Sequence, residues 1–312
     1  MVRFVWYEDF TYVQTTIPSE SRLNVHAGCR PTNVSCDEEC LRFRNVLLNW
    51  PPDKPKAAVY ILAKGDRDRL QKLYDSLTLL HRNFLHAFDY PVIVFHETDS
   101  RDLMHRTVRK QHANIRMFFQ EVWFDIPAHV NATLGRVSIG CRGFAIGYRH
   151  MCRFHARQVY KQPILVGLEY IWRLDDDSQL LSVINYDLFA FMKSHRFKYG
   201  YIATDLDTAE CTMYLWEAAK FYKKLRHFES QYFNRWTAPH IFYNNFEISA
   251  LSLWTSYRYQ DYINYIDLLG GIYFHRWGDA PIKTTAVTLF LREQDTHLFT
   301  NISYRHQHIS RH

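Results

Sequence analysis

Two stretches of this 312-residue chain predict an α/β fold with a mostly parallel sheet. The first is a strand, helix and strand in succession: the apolar run Ala57-Ala58-Val59-Tyr60-Ile61-Leu62-Ala63, a helix with Leu70, Leu73, Leu77, Leu80 and Phe84 on one face, and a second run from Tyr90 to Phe95. Strands joined by such a crossover are parallel, and the connection is right-handed. The second is Glu169-Tyr170-Ile171-Trp172-Arg173-Leu174-Asp175-Asp176-Asp177, too short in apolar residues for a helix and suited to a strand covered on both faces. Its carboxylates begin at the carboxyl end of the strand, the edge where open α/β sheets bind ligands.

The remaining elements follow in order. Residues up to about Asp53 lack clear periodicity and finish at the stiff Trp50-Pro51-Pro52-Asp53-Lys54-Pro55, so residues 1–55 read as an N-terminal extension or stem and 56–312 as the main domain. A helix and a strand near Ile115 to Glu121 continue the winding. A Gly-containing loop from Ser138 to Gly147 leads into a helix over Tyr148 to Phe154. Beyond the acidic triplet come a helix, a strand from Lys198 to Thr204, and a helix from about Met213 to Phe228. The last part carries Asn244-Asn245-Phe246-Glu247-Ile248, a helix over Tyr257 to Leu268, and a helix running from Asp279 to Leu291. At least five strands are expected, with no internal repeat.

Composition narrows the function. Hydrophobic residues make up 47% of the chain and aromatic residues 16%, which fits a packed core with stacking surfaces for rings or sugars. The formal net charge of +6 is spread along the chain, which suits an anionic ligand and gives no footprint for nucleic acid. No stretch approaches the roughly 20 apolar residues that span a bilayer. Cys29, Cys36 and Cys40 cluster in a polar segment and read as disulfides or free thiols before a zinc site, while Cys141, Cys152 and Cys211 are scattered. Sequons at Asn33, Asn131 and Asn301 permit a secretory location.

Several residues carry candidate chemistry, each with a plain alternative. Asp175 and Asp177, at alternate positions where the chain leaves the sheet, can both turn toward one Mg2+ or Mn2+ that also holds a substrate diphosphate, or they solvate a turn. Lys64 sits at the ligand-facing end of the first strand. Arg149 and Arg153 share a helical face and form either a phosphate clamp or two solvated side chains. Glu247, between apolar neighbours, is a perturbed or nucleophilic carboxylate or a satisfied structural one. Asp279, with Pro281 close behind, has a sufficient role as a helix cap. His306 and His308 lie in a tail that offers a metal ligand or merely frays.

Taken together, Tyr148-Arg149-His150-Met151-Cys152-Arg153-Phe154, the Trp172-Arg173-Leu174-Asp175 strand end, Asn245-Phe246-Glu247-Ile248 and Arg276-Trp277-Gly278-Asp279-Ala280-Pro281 resemble the fungal α-1,2-mannosyltransferases of glycosyltransferase family 15. The resemblance runs from about Ala57 to His306. It implies a single GT-A-like α/β domain over 56–312, with a central mixed, mostly parallel sheet flanked by helices. It implies transfer of mannose from GDP-mannose to a mannoside or glycoprotein glycan, with Mn2+ and retention of configuration. By the same resemblance Asp175 stands near metal and diphosphate, where the family has the Glu of a Glu-Pro motif, with Asp176 in place of the Pro and Asp177 sharing the cation. His306 matches a C-terminal metal ligand, Glu247 a nucleophile or base, Tyr148 a tyrosine beside the sugar–phosphate link, and Asp279 a partner of the acceptor hydroxyl. Metal, Arg149 and Arg153 would stabilise the departing diphosphate.

The chain departs from the family pattern at Lys64, where Arg is usual, and at Ser182, where a cysteine is usual. The resemblance implies the Golgi lumen, although the family's N-terminal anchor has no counterpart here. Another nucleotide sugar as donor, a glycoside hydrolase and a non-catalytic sugar-binding relative are the competing readings. Trp236, Tyr243 and Trp254 are expected to border the acceptor groove.

Overall fold

Strand β1 (Ala57–Ala63) is apolar throughout and buried on both faces, as a central parallel strand requires. The computed structural model describes residues 36–131, 141, 145–307 and 309–311, and these lie in one unit, Asn33–His312.

Ahead of β1, helix α1 (Glu38–Leu48) occupies part of the stretch read as aperiodic. A helical signal is present there in Cys40, Phe43 and Leu47, all buried, with Asp37 capping the helix by accepting from Cys40 N at 2.9 Å. A Cys36–Cys40 disulfide closes its first turn, and Phe43 packs edge-on to Phe118 with ring centroids 4.9 Å apart. After β1, Asp66 caps helix α2 (Arg67–Leu80), and the chain crosses to β2 (Val92–His96) and then β3 (Met117–Glu121). Both pairings, β1 with β2 and β2 with β3, are parallel.

The Ser138 to Gly147 loop falls mostly outside the described residues. Helix α3 (Ile146–Arg153) then leads to β4 (Tyr170–Leu174), which lies parallel to β1. Trp172 of β4 is fully buried against Phe84 and Phe246, at 5.1 and 4.9 Å between centroids. Truncating it to Ala would cost about 3–5 kcal/mol.

Next come β5 (Gln179–Leu180), helix α4 (Leu188–Ser194), β6 (Tyr199–Tyr201), β7 (Thr204–Leu206), helix α5 (Leu215–Leu225), β8 (His240–Phe242) and β9 (Phe246–Ala250). The single strand expected over Lys198 to Thr204 is therefore two, β6 in the main sheet and β7 paired with β8. Residues Phe246–Ala250, read earlier only as a motif, form a strand antiparallel to both β4 and β6.

Helices α6 (Tyr257–Leu269) and α7 (Asp279–Phe290) follow. Almost every residue of α7 is buried, and it is tied to β8 where Phe242 N donates to Thr284 Oγ1 at 2.9 Å. Strand β10 (Thr296–Leu298) joins the main sheet beside β6, while β11 (Tyr304–His306) and β12 (Ile309–Arg311) form a hairpin. The main sheet has seven strands in the order β10-β6-β9-β4-β1-β2-β3, mixed and mostly parallel. Pairing of β11 with β5 returns the C-terminal segment to the acidic end of β4.

A second disulfide joins Cys141 to Cys211, so two of the cysteines that look scattered in sequence are linked across 70 residues. Among the described residues no helix is long and apolar enough to cross a membrane.

Candidate active site

The β11–β5 pairing brings His306 onto the strand-end carboxylates. Tyr304 secures it, its hydroxyl 2.8 Å from Ser178 Oγ and donating to Asn245 O at 3.1 Å. His306 Nε2 lies 2.8 Å from Asp177 Oδ1 and 3.6 Å from Asp175 Oδ2. One ligand atom from each of the three residues falls within 4.8 Å of the others, a spacing that fits a single metal ion.

The ring of His306 is 2% exposed, and its Nδ1 meets the Tyr243 hydroxyl, which also reaches the His306 carbonyl at 3.3 Å. The phenol donates to the carbonyl and holds the ring through Nδ1, which leaves Nε2 turned to Asp177 and Asp175. Burial raises the Tyr243 pKa, which keeps the phenol protonated for that role. Hard carboxylate oxygens with one imidazole suit Mn2+ better than soft-ligand metals.

The carboxylates are themselves held. Arg173, buried in β4, donates to Asp175 Oδ1 through Nε at 3.2 Å and Nη2 at 3.0 Å, while Asn245 Nδ2 donates to Asp175 Oδ2. Desolvation acts to raise the Asp177 pKa, but the hydrogen bond and charge of His306, with Arg69 and Lys72, outweigh it and bring it down to about 2. Arg69 Nη1 lies 3.4 Å and Lys72 Nζ 3.7 Å from Asp177 Oδ2. Both cations project from the first turns of α2, whose positive end faces the same strand edge. Asp176 pairs with Arg69 at 3.2 Å, while burial pushes its pKa up to about 7.

Behind the carboxylates, Arg173 Nη1 also binds Asp279 Oδ2, which accepts from Asn244 Nδ2 at 2.7 Å. Desolvation opposes ionisation of Asp279, yet Arg173, His155 and Lys283 hold its carboxyl far below the ordinary range. The expected capping role is corrected: the N-cap of α7 is Gly278, and Asp279, at the first helical position, turns its carboxylate to Arg173 and Asn244.

Tyr148 accepts from Arg276 Nη2 at 2.9 Å, under a guanidinium 4.9 Å from the ring centroid, and Arg276 pairs with Asp207 at 3.0 Å. Arg149 is 5% exposed, and among the described residues its hydrogen bond goes to Ile272 O at 3.3 Å. Lys64, with a side chain 70% exposed, pairs with Asp66 at 3.2 Å at the end of β1.

Two expectations are corrected by geometry. Arg153 is no partner of Arg149 in a clamp, because its Nε and Nη2 bind Asp267 at 2.7 and 3.0 Å in a buried fork. Glu247 is not open to a sugar: it is 0% exposed, and its oxygens lie 2.7 and 2.6 Å from Lys283 Nζ. Tyr199 and Ser249 hydroxyls complete its shell at 3.2 and 3.1 Å. The paired-donor shell matches the satisfied structural alternative. Of the three aromatics expected at the acceptor groove, Trp254 is fully buried and Tyr243 serves His306.

Reading the sequence missed the roles of Arg173, Asn244, Asn245, Arg69, Lys72 and Lys283, and placed Tyr243 at the acceptor groove where it holds His306. A signal existed for two of them. Arg173 is a lone cation in an apolar strand, and Lys283 lies one helical turn beyond Asp279.

A mixed α/β sheet with a carboxylate and imidazole cluster at a strand end is an arrangement found in the GT-A fold class. The profile of the glycolipid 2-alpha-mannosyltransferase family matches residues 19–311, and the chain belongs to that family. The relative named probable mannosyltransferase KTR3, of Saccharomyces cerevisiae, is 32% identical over 211 residues, covering 64% of this chain and 51% of that protein. Alpha-1,2 mannosyltransferase KTR1 of the same yeast is 30% identical over 275 residues, 80% of this chain and 68% of that protein. The chain spans about half the length of the first of these relatives. Core-mannan synthase A from Aspergillus fumigatus, solved in an Mn/GDP form, superposes with a TM-score of 0.72 at 23% identity, over 82% of this chain and 76% of that one. That likeness shows the GT-A fold.

Proposed function

We propose that the chain is a metal-dependent, retaining α-1,2-mannosyltransferase that moves mannose from GDP-mannose to a mannoside of a glycoprotein or oligosaccharide. The observation that carries this reading is the convergence of Asp175, Asp177 and His306 at the carboxyl end of β4. Those three residues would hold Mn2+, the ion in the solved core-mannan synthase A. When bound, the ion supplies positive charge to the donor diphosphate and to the charge that grows there as the sugar leaves.

The chain's own residues do the rest. Lys64, Arg69 and Lys72 line the β1–α2 side of the cluster and attract the diphosphate. Arg149 offers its remaining N–H donors to the same anion. Arg173 fixes Asp175 and Asp279 relative to each other across the sheet end. Asp279 Oδ2 takes both protein contacts, so Oδ1 accepts the acceptor hydroxyl. A carboxylate this acidic orients the hydroxyl and is a weak base toward it. Tyr148, kept protonated by burial and placed by Arg276, donates beside the sugar–phosphate link. Glu247 acts at a remove, anchoring Lys283 beside Asp279, and is a positioning residue in this proposal.

The two disulfides support a location in the oxidising secretory pathway, and the family supports the Golgi lumen. The test is GDP release from GDP-mannose with Mn2+ and methyl α-mannoside, comparing the parent with His306→Ala and Asp175→Asn, with product linkage read by NMR. An α-1,2-linked product from the parent and near-complete loss in both variants is the expected result. Turnover that persists in both variants would overturn the reading.

A further inference from the structure

The segment between β10 and β11 carries the sequon Asn301-Ile302-Ser303, with no proline inside it or after it. All three of its residues are described, whereas Asn33 and Thr133 of the other two sequons lie outside the described residues.

Backbone contacts fix both ends of this span. Phe299 N donates to Tyr201 O at 2.9 Å, and Ser303 O accepts from Leu181 N at 2.8 Å. Phe299 and Ile302 turn inward and are buried, which leaves Thr300 and Asn301 exposed between them.

The carboxamide of Asn301 is oriented by one partner. Its Oδ1 accepts from the Tyr186 hydroxyl at 3.0 Å, and among the described residues Nδ2 makes no hydrogen bond. The nitrogen is therefore the open end of the side chain. A sugar joined to Nδ2 replaces one of its two hydrogens and leaves the carbonyl oxygen an acceptor, so the Tyr186 contact survives the modification.

The surroundings give such a group something to cover. The contacts at Leu181 and Tyr186 hold residues 181–186 beside the sequon, and Val183 between them is 68% exposed. Ahead of the sequon, β10 is an edge strand of the main sheet and its Leu298 is 37% exposed. Open strand edges beside apolar side chains template pairing with other chains, and proteins cover them. A bulky hydrophilic group at Asn301 covers both.

We propose that Asn301 is an N-glycosylation site. In that reaction Nδ2 attacks C1 of the reducing-end sugar of a polyprenyl-diphosphate oligosaccharide. The C1–N bond forms as the C1–O bond to phosphate breaks, Nδ2 gives up one proton, and the polyprenyl diphosphate leaves. The proposal rests on the secretory location offered above, where such a donor is met.

The experiment expresses the full chain in a yeast host behind a cleavable secretory leader, and leader-cleaved protein alone is analysed. N-glycans are released by peptide N-glycosidase in heavy-oxygen water, which labels each asparagine that carried one, and peptides are mapped by mass spectrometry. The parent, Asn301→Gln, Ser303→Ala and Ser303→Thr are compared, with circular dichroism as the check that each is folded. The expected result is label at Asn301 in the parent and in Ser303→Thr, with none there in Ser303→Ala. Before release, Asn301→Gln and Ser303→Ala should each be lighter than the parent by the mass of one oligosaccharide. An unlabelled Asn301 in both the parent and Ser303→Thr overturns the proposal, as does label that persists in Ser303→Ala. Because the leader sets the route, an unmodified Asn301 counts against the site and not against the secretory reading. That reading falls separately, if fractionation of the native host finds the chain outside the secretory pathway.

Discussion

Replacing Lys283 by Met tests the buried polar layer between the sheet and α7. Lys283 and Glu247 side chains are both 0% exposed and 2.6 Å apart, so Lys283→Met leaves the Glu247 carboxyl enclosed with only the Tyr199 and Ser249 hydroxyls for donors. Removing one member of a buried pair costs about 3–5 kcal/mol. Glu247→Gln should cost less, because burial already lowers the Lys283 pKa from 10.5 and the amine can shed its proton once the carboxylate is gone. In the double variant the Gln still accepts from both hydroxyls and no charge is stranded, so it should be more stable than Lys283→Met by roughly 2 kcal/mol. Urea denaturation of the four proteins closes the cycle. A loss below about 1 kcal/mol in Lys283→Met, or strict additivity in the double variant, would refute the reasoning.

Two other outcomes follow from the same geometry. Tyr243→Phe removes the oxygen that orients His306 and should weaken Mn2+ binding by about 10–100-fold, measured by calorimetry, with the fold intact by circular dichroism. Desolvation raises the Asp267 pKa, but Arg153 outweighs it and brings the carboxyl below 3.8. A depressed carboxyl contributes stability that is full above its unfolded value and lost as pH falls through the folded one. Asp267→Asn should therefore cost about 3 kcal/mol at pH 7, a gap that narrows below pH 4. A pH-independent gap in thermal melts would count against the Arg153–Asp267 account.

The parallel half of the sheet was legible because β1, β2 and β4 are short, predominantly apolar runs, the first two set off by a helical repeat, a local signal. Strand β9 was not, since Glu247 interrupts it and only its antiparallel partners and Lys283 make that residue tolerable there. Helix α1 hides its periodicity in three residues, and part of its anchoring comes from Phe118, 75 positions beyond Phe43. In the site, the metal-type ligands Asp175, Asp177 and His306 announced themselves by chemistry and by family resemblance. Their supports did not: Tyr243 and Asn245 meet His306 only once β11 pairs with β5, a contact no local pattern encodes, and Arg173 meets Asp279 only once α7 packs on the sheet. Arg153 misled for the same reason, because its partner Asp267 lies on another helix.

The central claim is that Asp175, Asp177 and His306 form a metal bridge to a nucleoside diphosphate. Calorimetric titration of GDP into the chain, in Mn2+ and then in EDTA, tests it most directly. The account predicts saturable binding in Mn2+ that weakens at least about tenfold in EDTA, with His306→Ala matching the EDTA value in either buffer. GDP binding that is equally tight with and without metal, and unchanged in His306→Ala, would contradict it.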